Sequence, residues 1–236
     1  KRKSFCMNLN NKRTVLVGLA FLSICAFWQM YDNIVPLILT NTFHMNETLS
    51  GAIMAADNVL ALFLLPFFGS LSDKTSTPIG KRMPYILFGT GLAVILMNLL
   101  PLLDNSYYAQ PSGAKLVLFV VTLGLLLVAM GSYRSPAVAL MPDVTPKPLR
   151  SKANAIINLM GAVGGILYLG IAAVAYPNSK TAGMDHINYQ LLFVVVSSIM
   201  FVSVAVLFLT VKEPKLAQEN LELEAAHPDW NLAEDD

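Results

Sequence analysis

The sequence predicts an all-α integral membrane protein with six transmembrane helices. Three observations carry that reading. Charged residues make up only 13% of the 236 positions, about half the share found in an ordinary soluble domain. The apolar residues gather into six runs, each reaching the roughly 20 residues that cross a bilayer. Lys and Arg are divided very unequally between the two sets of loops that these runs define. Continuous runs of this length must be helical, because in lipid only helices and closed barrels satisfy their own backbone. The short alternating segments of a barrel are absent.

The first span, Val15–Leu39, carries Trp28, Gln29, Tyr31 and Asp32. The second, Ser50–Leu71, contains Asp57 and Asn58 and runs out near Asp73. The third, Pro84–Leu103, follows Gly80, Lys81 and Arg82. Pro84 suits a first helical turn, where a missing N–H loses no hydrogen bond. The fourth, Lys115–Met141, holds Arg134 and leads into Asp143. The fifth, Ala153–Tyr176, opens after Arg150 and places Asn154 and Asn158 on one face. Its glycines, Gly161, Gly164, Gly165 and Gly170, read as ordinary close helix packing. The sixth is Tyr189–Val211. Residues 1–14 form a polar N-terminal segment, 15–211 the bundle, and 212–236 an acidic tail that reads as a linker rather than a domain.

One set of loops holds thirteen Lys and Arg, and the other holds only Lys115 and Lys180. The positive-inside rule then makes both termini cytoplasmic, in a multi-pass protein of the cell membrane. The loops near His44, Asn105 and Lys180 face outward. Arg134 is left over, inside the fourth span. The sequon Asn46-Glu47-Thr48 falls on an outer loop and reads as a chance match. A net charge of +1 gives no attraction to nucleic acid. Cys6 and Cys25 form no disulfide framework, and His44, His186 and His227 lie too far apart in the chain to suggest a metal site. No nucleophile–base pairing, phosphate loop or cofactor motif is present, which argues against an enzyme. No cleavable signal peptide is readable. The chain does not begin with Met and is expected to be a fragment or a processed product.

Polarity concentrates in GSLSDKTSTPIGKRMPY, residues 69–85, the cytoplasmic turn between the second and third spans. A carboxylate at a helix C-terminus is disfavoured by the helix dipole. Asp73 therefore calls for a partner, and Lys81 or Arg82 is near enough to supply it. Gly69 permits close helix approach and Gly80 a left-handed turn. Gly-x-x-x-Asp-Lys followed by Gly-Lys-Arg resembles the signature loop of the major facilitator superfamily. The spacing from Ser72-Asp73-Lys74 to Gly80-Lys81-Arg82-x-Pro84-Tyr85 is similar to the sugar:cation symporter branch, which includes glycoside–pentoside–hexuronide and sucrose/proton symporters. Arg134-Ser135-Pro136-Ala137, Met141-Pro142-Asp143, Arg150 and Ala153-Asn154-Ala155 resemble the sucrose-transporter pattern. The resemblance covers about Val15 to Pro214. It implies one half of a twelve-helix fold, a 3+3 inverted repeat, with the other half covalent or separate. It also implies a cytoplasmic gate built from Gly69, Asp73, Gly80, Lys81, Arg82, Asp143 and Arg150.

Asp32, Asp57 and Arg134 lie inside predicted spans, where each costs roughly 2.5–3.5 kcal/mol and marks a functional site by default. Both carboxylates fall about 10 Å below the outer surface. Adjacent antiparallel helices could pair them, favouring a shared proton or a bound cation. Arg134 falls about 10 Å from the inner surface and reaches them only if helix ends differ from these. Trp28 and Gln29 share a face with Asp32 at i,i+4 and i,i+3. An aromatic ring beside carboxylate and amide groups suits a sugar. Tyr31, Asn58 and Asn158 complete the candidate substrate and proton site. Tyr31-Asp32 and Tyr133-Arg134, each followed by a proline, echo each other as inverted repeats would. Sodium-coupled glycoside symporters carry an acidic pair low in the second helix; here Ala61, Phe63 and Leu65 run through without charge, which favours a proton over sodium. The expectation is a secondary active transporter, the N-terminal half of a proton-coupled sugar symporter working by alternating access. The alternatives are an efflux or non-sugar transporter of the same fold, or a non-transporting membrane half. The fifth span lacks the Gly-Pro pair of drug antiporters, which lowers the efflux reading.

Overall fold

The computed structural model describes residues 8–233. Cys6 and the basic residues Lys1, Arg2 and Lys3 lie outside the described residues. The described chain holds six helices long and apolar enough to cross a membrane. They are α1 (Asn11–Asn41), α2 (Glu47–Lys74), α3 (Met83–Ala109), α4 (Gly113–Val144), α5 (Arg150–Ala175) and α6 (Gln190–Thr210). A seventh, α7 (Glu213–Ala226), follows. There is no strand among the described residues.

The helices run longer than most of the apolar runs that announced them. α1 has 31 residues and α4 has 32, which at 1.5 Å per residue is about 46–48 Å. Hydropathy registers only the apolar middle of a span, whereas the backbone continues until a cap stops it. Asn10 caps α1 by accepting from Arg13 N at 3.1 Å. Asn46 caps α2 by accepting from Leu49 N at 2.7 Å. The sequon asparagine is therefore a helix cap. The tail read as a linker also differs: residues 213–226 of it form α7, with Glu213 and Asn220 buried against the bundle.

α1 lies centrally, packed on α5 and α6 and touching α2 and α4; α3 packs on α4 and α6. Between helices in lipid, association depends on van der Waals fit and hydrogen bonds rather than on apolar transfer. Phe27, Met30, Tyr31, Phe119, Tyr133 and Phe193 fill the interior. The Tyr133 hydroxyl donates to Ala20 O at 3.0 Å and pairs with Ser23, tying α4 to α1. The α1–α5 crossing depends on Gly164. A Cβ there would stand 2.1 Å from the Leu22 carbonyl oxygen, a collision with backbone that no rotamer relieves.

α2 is the exception to this burial. Only Ser50 and Ser72 are buried along it, while Leu62, Phe63 and Phe67 stand exposed. α5 likewise leaves Leu159, Ile166 and Val174 open. All the interhelical loops are short except the segment joining α5 to α6, which includes a single helical turn, Asn178–Thr181.

Candidate functional site

Two polar assemblies interrupt the apolar bundle. The first lies at the end of the bundle where α1 begins and α6 runs into α7. Arg82 is only 6% exposed. Its guanidinium donates from Nε to Asp143 Oδ2 at 2.8 Å, from Nη2 to Asp73 Oδ1 and from Nη1 to Ser72 Oγ. The ends of α2, α3 and α4 are thereby joined through one buried cation. The partner that the Asp73 position called for is Arg82. Lys81 enters through its backbone N–H instead.

Glu213 was not legible as part of this assembly. Its carboxylate accepts from Lys81 N at 3.1 Å, from Arg82 N at 2.9 Å and from Met83 N at 2.9 Å. These are the free N–H groups at the start of α3, where no local side chain caps the helix. A carboxylate at this end also meets the positive pole of the helix dipole. Burial pushes the Glu213 carboxyl above its ordinary range, and the three N–H donors offset part of that rise. Gly80 makes the approach possible twice over. Its φ of +120° suits glycine, and a Cβ there would lie 2.3 Å from Glu213 Oε2. Arg150 donates from Nη2 to Pro142 O and to Glu224 Oε1, both at 3.0 Å, while Asn220 reaches Asp143 O at 3.3 Å. α7 is thus fastened across the loops. Gly69 lies beside α4, with a Cβ position 3.0 Å from Ser135 Oγ. A cavity of about 300 Å³ remains between α7 and these loops.

The second assembly lies midway along the bundle. Asp32, Asp57, Arg134, Trp28 and Asn158 line one cavity of about 440 Å³, together with Cys25 and Phe21. Arg134 therefore does share a cavity with the carboxylates. Its Cα is ten residues, about 15 Å, from the end of α4, deeper than the apolar run implied. The guanidinium carbon sits 6.0 Å from the centre of the Trp28 ring. No ion pair joins Arg134 to either carboxylate among the described residues.

Gln29 lines an adjoining cavity with Cys25, Asn158 and Gly165. Asn58 lines the groove on the α2 side with Asp57, Leu65 and Arg134. Tyr31 needs correction. It is 1% exposed and packs against Phe27 and Trp28 in the core, so it does not line the cavity. Adjacent residues on a helix point about 100° apart, and the sequence could not say which of Tyr31 and Asp32 faced inward. The echo between α1 and α4 has a geometric counterpart. Tyr31 and Tyr133 both face the core, while Asp32 and Arg134 both face the cavity. Cys25 and Phe21 were missed. They lie one and two turns from Trp28 or Gln29 on the same helix face, and that periodicity was the available signal.

Six apolar helices around a polar midplane cavity, with a saturated charge cluster at one end, define a multi-pass membrane protein. Residues 17–232 match the model of the Major Facilitator Superfamily, and the chain belongs to that family. It is 30% identical over 138 residues to a sucrose transport protein of Arabidopsis thaliana, covering 53% of this chain and 23% of that protein. It is 27% identical over 184 residues to the alpha-ketoglutarate permease of Escherichia coli, covering 78% of this chain and 37% of the permease. A sucrose transport protein of Oryza sativa is 26% identical over 140 residues, covering 53% of this chain and 27% of its own length. The chain thus spans well under half of these relatives, which are named as transporters and not as enzymes.

Proposed function

We propose that the chain is one six-helix half of a secondary active transporter in the cell membrane, moving a sugar or glycoside together with a proton by alternating access. The observation that carries this reading is the midplane cavity, where Asp32, Asp57 and Arg134 face one space with no ion pair between cation and carboxylate. Ionisable groups left in that condition inside a membrane suit a ligand that completes them. The carboxylates would carry the coupled proton. The Trp28 ring and the Asn158 amide would meet the flat face and the hydroxyls of the sugar. The sparsely buried faces of α2 and α5 would pack on a second half, which supplies the opposite wall. The Arg82 cluster would act as the cytoplasmic gate, with both termini on that side.

A second reading is a carboxylate solute. It is favoured by the unpaired Arg134 and by the length of the match to the alpha-ketoglutarate permease. Uptake of labelled disaccharides and dicarboxylates, by cells expressing the full reading frame at acid and neutral pH, tests both. Acid-stimulated sugar uptake lost in Asp32→Asn supports the first. Dicarboxylate uptake lost in Arg134→Gln, without sugar uptake, supports the second. Uptake of neither by correctly inserted protein overturns both.

A further inference from the structure

Far from both assemblies, at the end of the bundle opposite the Arg82 cluster, the Asp104 side chain is wholly buried. It lies five residues before the end of α3. Neither carboxylate oxygen makes a hydrogen bond of ordinary geometry among the described residues. An isolated buried carboxylate is costly enough to be neutralised or paired. Its polar neighbours are the Thr42 hydroxyl at the end of α1 and the ring of His186, whose Nε2 is 3.7 Å from Asp104 Oδ2.

The surroundings fix which ring nitrogen already carries a proton. Asn188 Oδ1 accepts from Gln190 N at 2.9 Å, so it is an acceptor. The Asn105 atom facing it at 2.9 Å is therefore the amide nitrogen. That leaves Asn105 Oδ1 toward His186 Nε2 at 2.8 Å, and Nε2 must donate. In the neutral ring, Nδ1 is then an acceptor, 3.4 Å from Thr42 Oγ1. Thr42 has one hydroxyl hydrogen, and both Asp104 and His186 Nδ1 require it. One added proton removes the conflict. On Nδ1 it is donated to Thr42, which is then free to donate to Asp104. On Asp104 it is donated to Thr42, which then donates to Nδ1.

We propose that Asp104, Thr42 and His186 form a proton-binding site that, when loaded, fastens the segment before α6 to the ends of α1 and α3, and releases it when empty. Its ligand is a single proton. The site is separate from the midplane cavity, and only its assignment to the outer side rests on the topology proposed above. The other groups around it do not supply the missing charge. Lys115 at the start of α4 donates to Ser106 O and Gln110 O. Tyr108 stacks on the His186 ring at 4.2 Å, Tyr189 stands near the carboxylate from the start of α6, and Asp185 is exposed. His186 is the basic partner that Asp104 has, and stacking on Tyr108 also suits its cationic form.

The test is a spin label on Met184→Cys, in purified full-length protein in detergent with Cys6 and Cys25 replaced by serine. Its mobility is followed from pH 4.5 to 9. The expected result is a single step to higher mobility as pH rises, absent in Asp104→Asn and in His186→Gln. Thr42→Val, which keeps the side chain's shape, is expected to move the midpoint by at least tenfold in proton concentration. A flat wild-type profile overturns the proposal, whatever the variants do. So does a step that survives in both charge variants, or a midpoint unmoved by Thr42→Val. None of these readouts depends on transport, so failure of the sugar or coupling assignment leaves the result interpretable.

Discussion

Arg82 and Arg134 are both guanidinium groups placed near two carboxylates, and the fold treats them in opposite ways. Arg82 is buried, and three of its nitrogens are bonded to Asp143, Asp73 and Ser72. Arg134 is exposed to a cavity it shares with Asp32 and Asp57 and is paired with neither. The first arrangement holds three helix ends in one position. The second leaves charge available to something that is not part of the chain. Saturation of partners, not charge itself, separates a fastening from a candidate binding site.

The sharpest way to break this contrast is Asp143→Leu. It leaves the Arg82 guanidinium buried with only the largely exposed Asp73 as counter-charge, and is expected to cost about 3 kcal/mol. A fall in the detergent unfolding temperature of several degrees would report it; an unchanged temperature would show that the cluster does not hold the helix ends. Asp32→Asn is the counterpart in the cavity. No partner is lost there, so stability should stay within about 0.5 kcal/mol. Under the proposed function, uptake should fall about 100-fold, equivalent to ~2.7 kcal/mol. A large loss of stability with uptake intact would reverse the assignment of the two regions.

Glu213→Ala, which removes the acceptor, should cost about 1 kcal/mol, the scale of a helix cap. Glu213 also carries a pH signature. Burial raises the Glu213 carboxyl, so the folded chain holds that proton more tightly than the unfolded chain does. Its contribution to stability is therefore largest in acid and is lost as pH rises past the ordinary glutamate range. Melting curves across that range should show a downward slope in the wild type that flattens in Glu213→Gln. The smallest effect is expected for Asp73→Asn. The Asp73 side chain is 62% exposed, and exposed pairs contribute under about 1 kcal/mol. If Asp73→Asn equals Asp143→Leu in thermal unfolding, burial does not govern the strength of the cluster.

The sequence by itself determined the six spans, the polar turn at residues 69–85, the need of Asp73 for a partner, and the oddity of Asp32, Asp57 and Arg134. These are local properties. Hydropathy over some twenty residues, a cap, or a charge out of place can be read without knowing what lies across the bundle. Tertiary structure alone decided which groups meet. Glu213 reaches Lys81, Arg82 and Met83 from about 130 positions away, and Thr42 meets His186 across 144. Arg134 enters the carboxylate cavity because α4 extends past its apolar run, and Tyr31 leaves it because α1 turns that face toward Phe27. Helix rotation, tilt and true length fix such meetings, and these are settled by packing against neighbouring helices, which no single stretch of sequence contains.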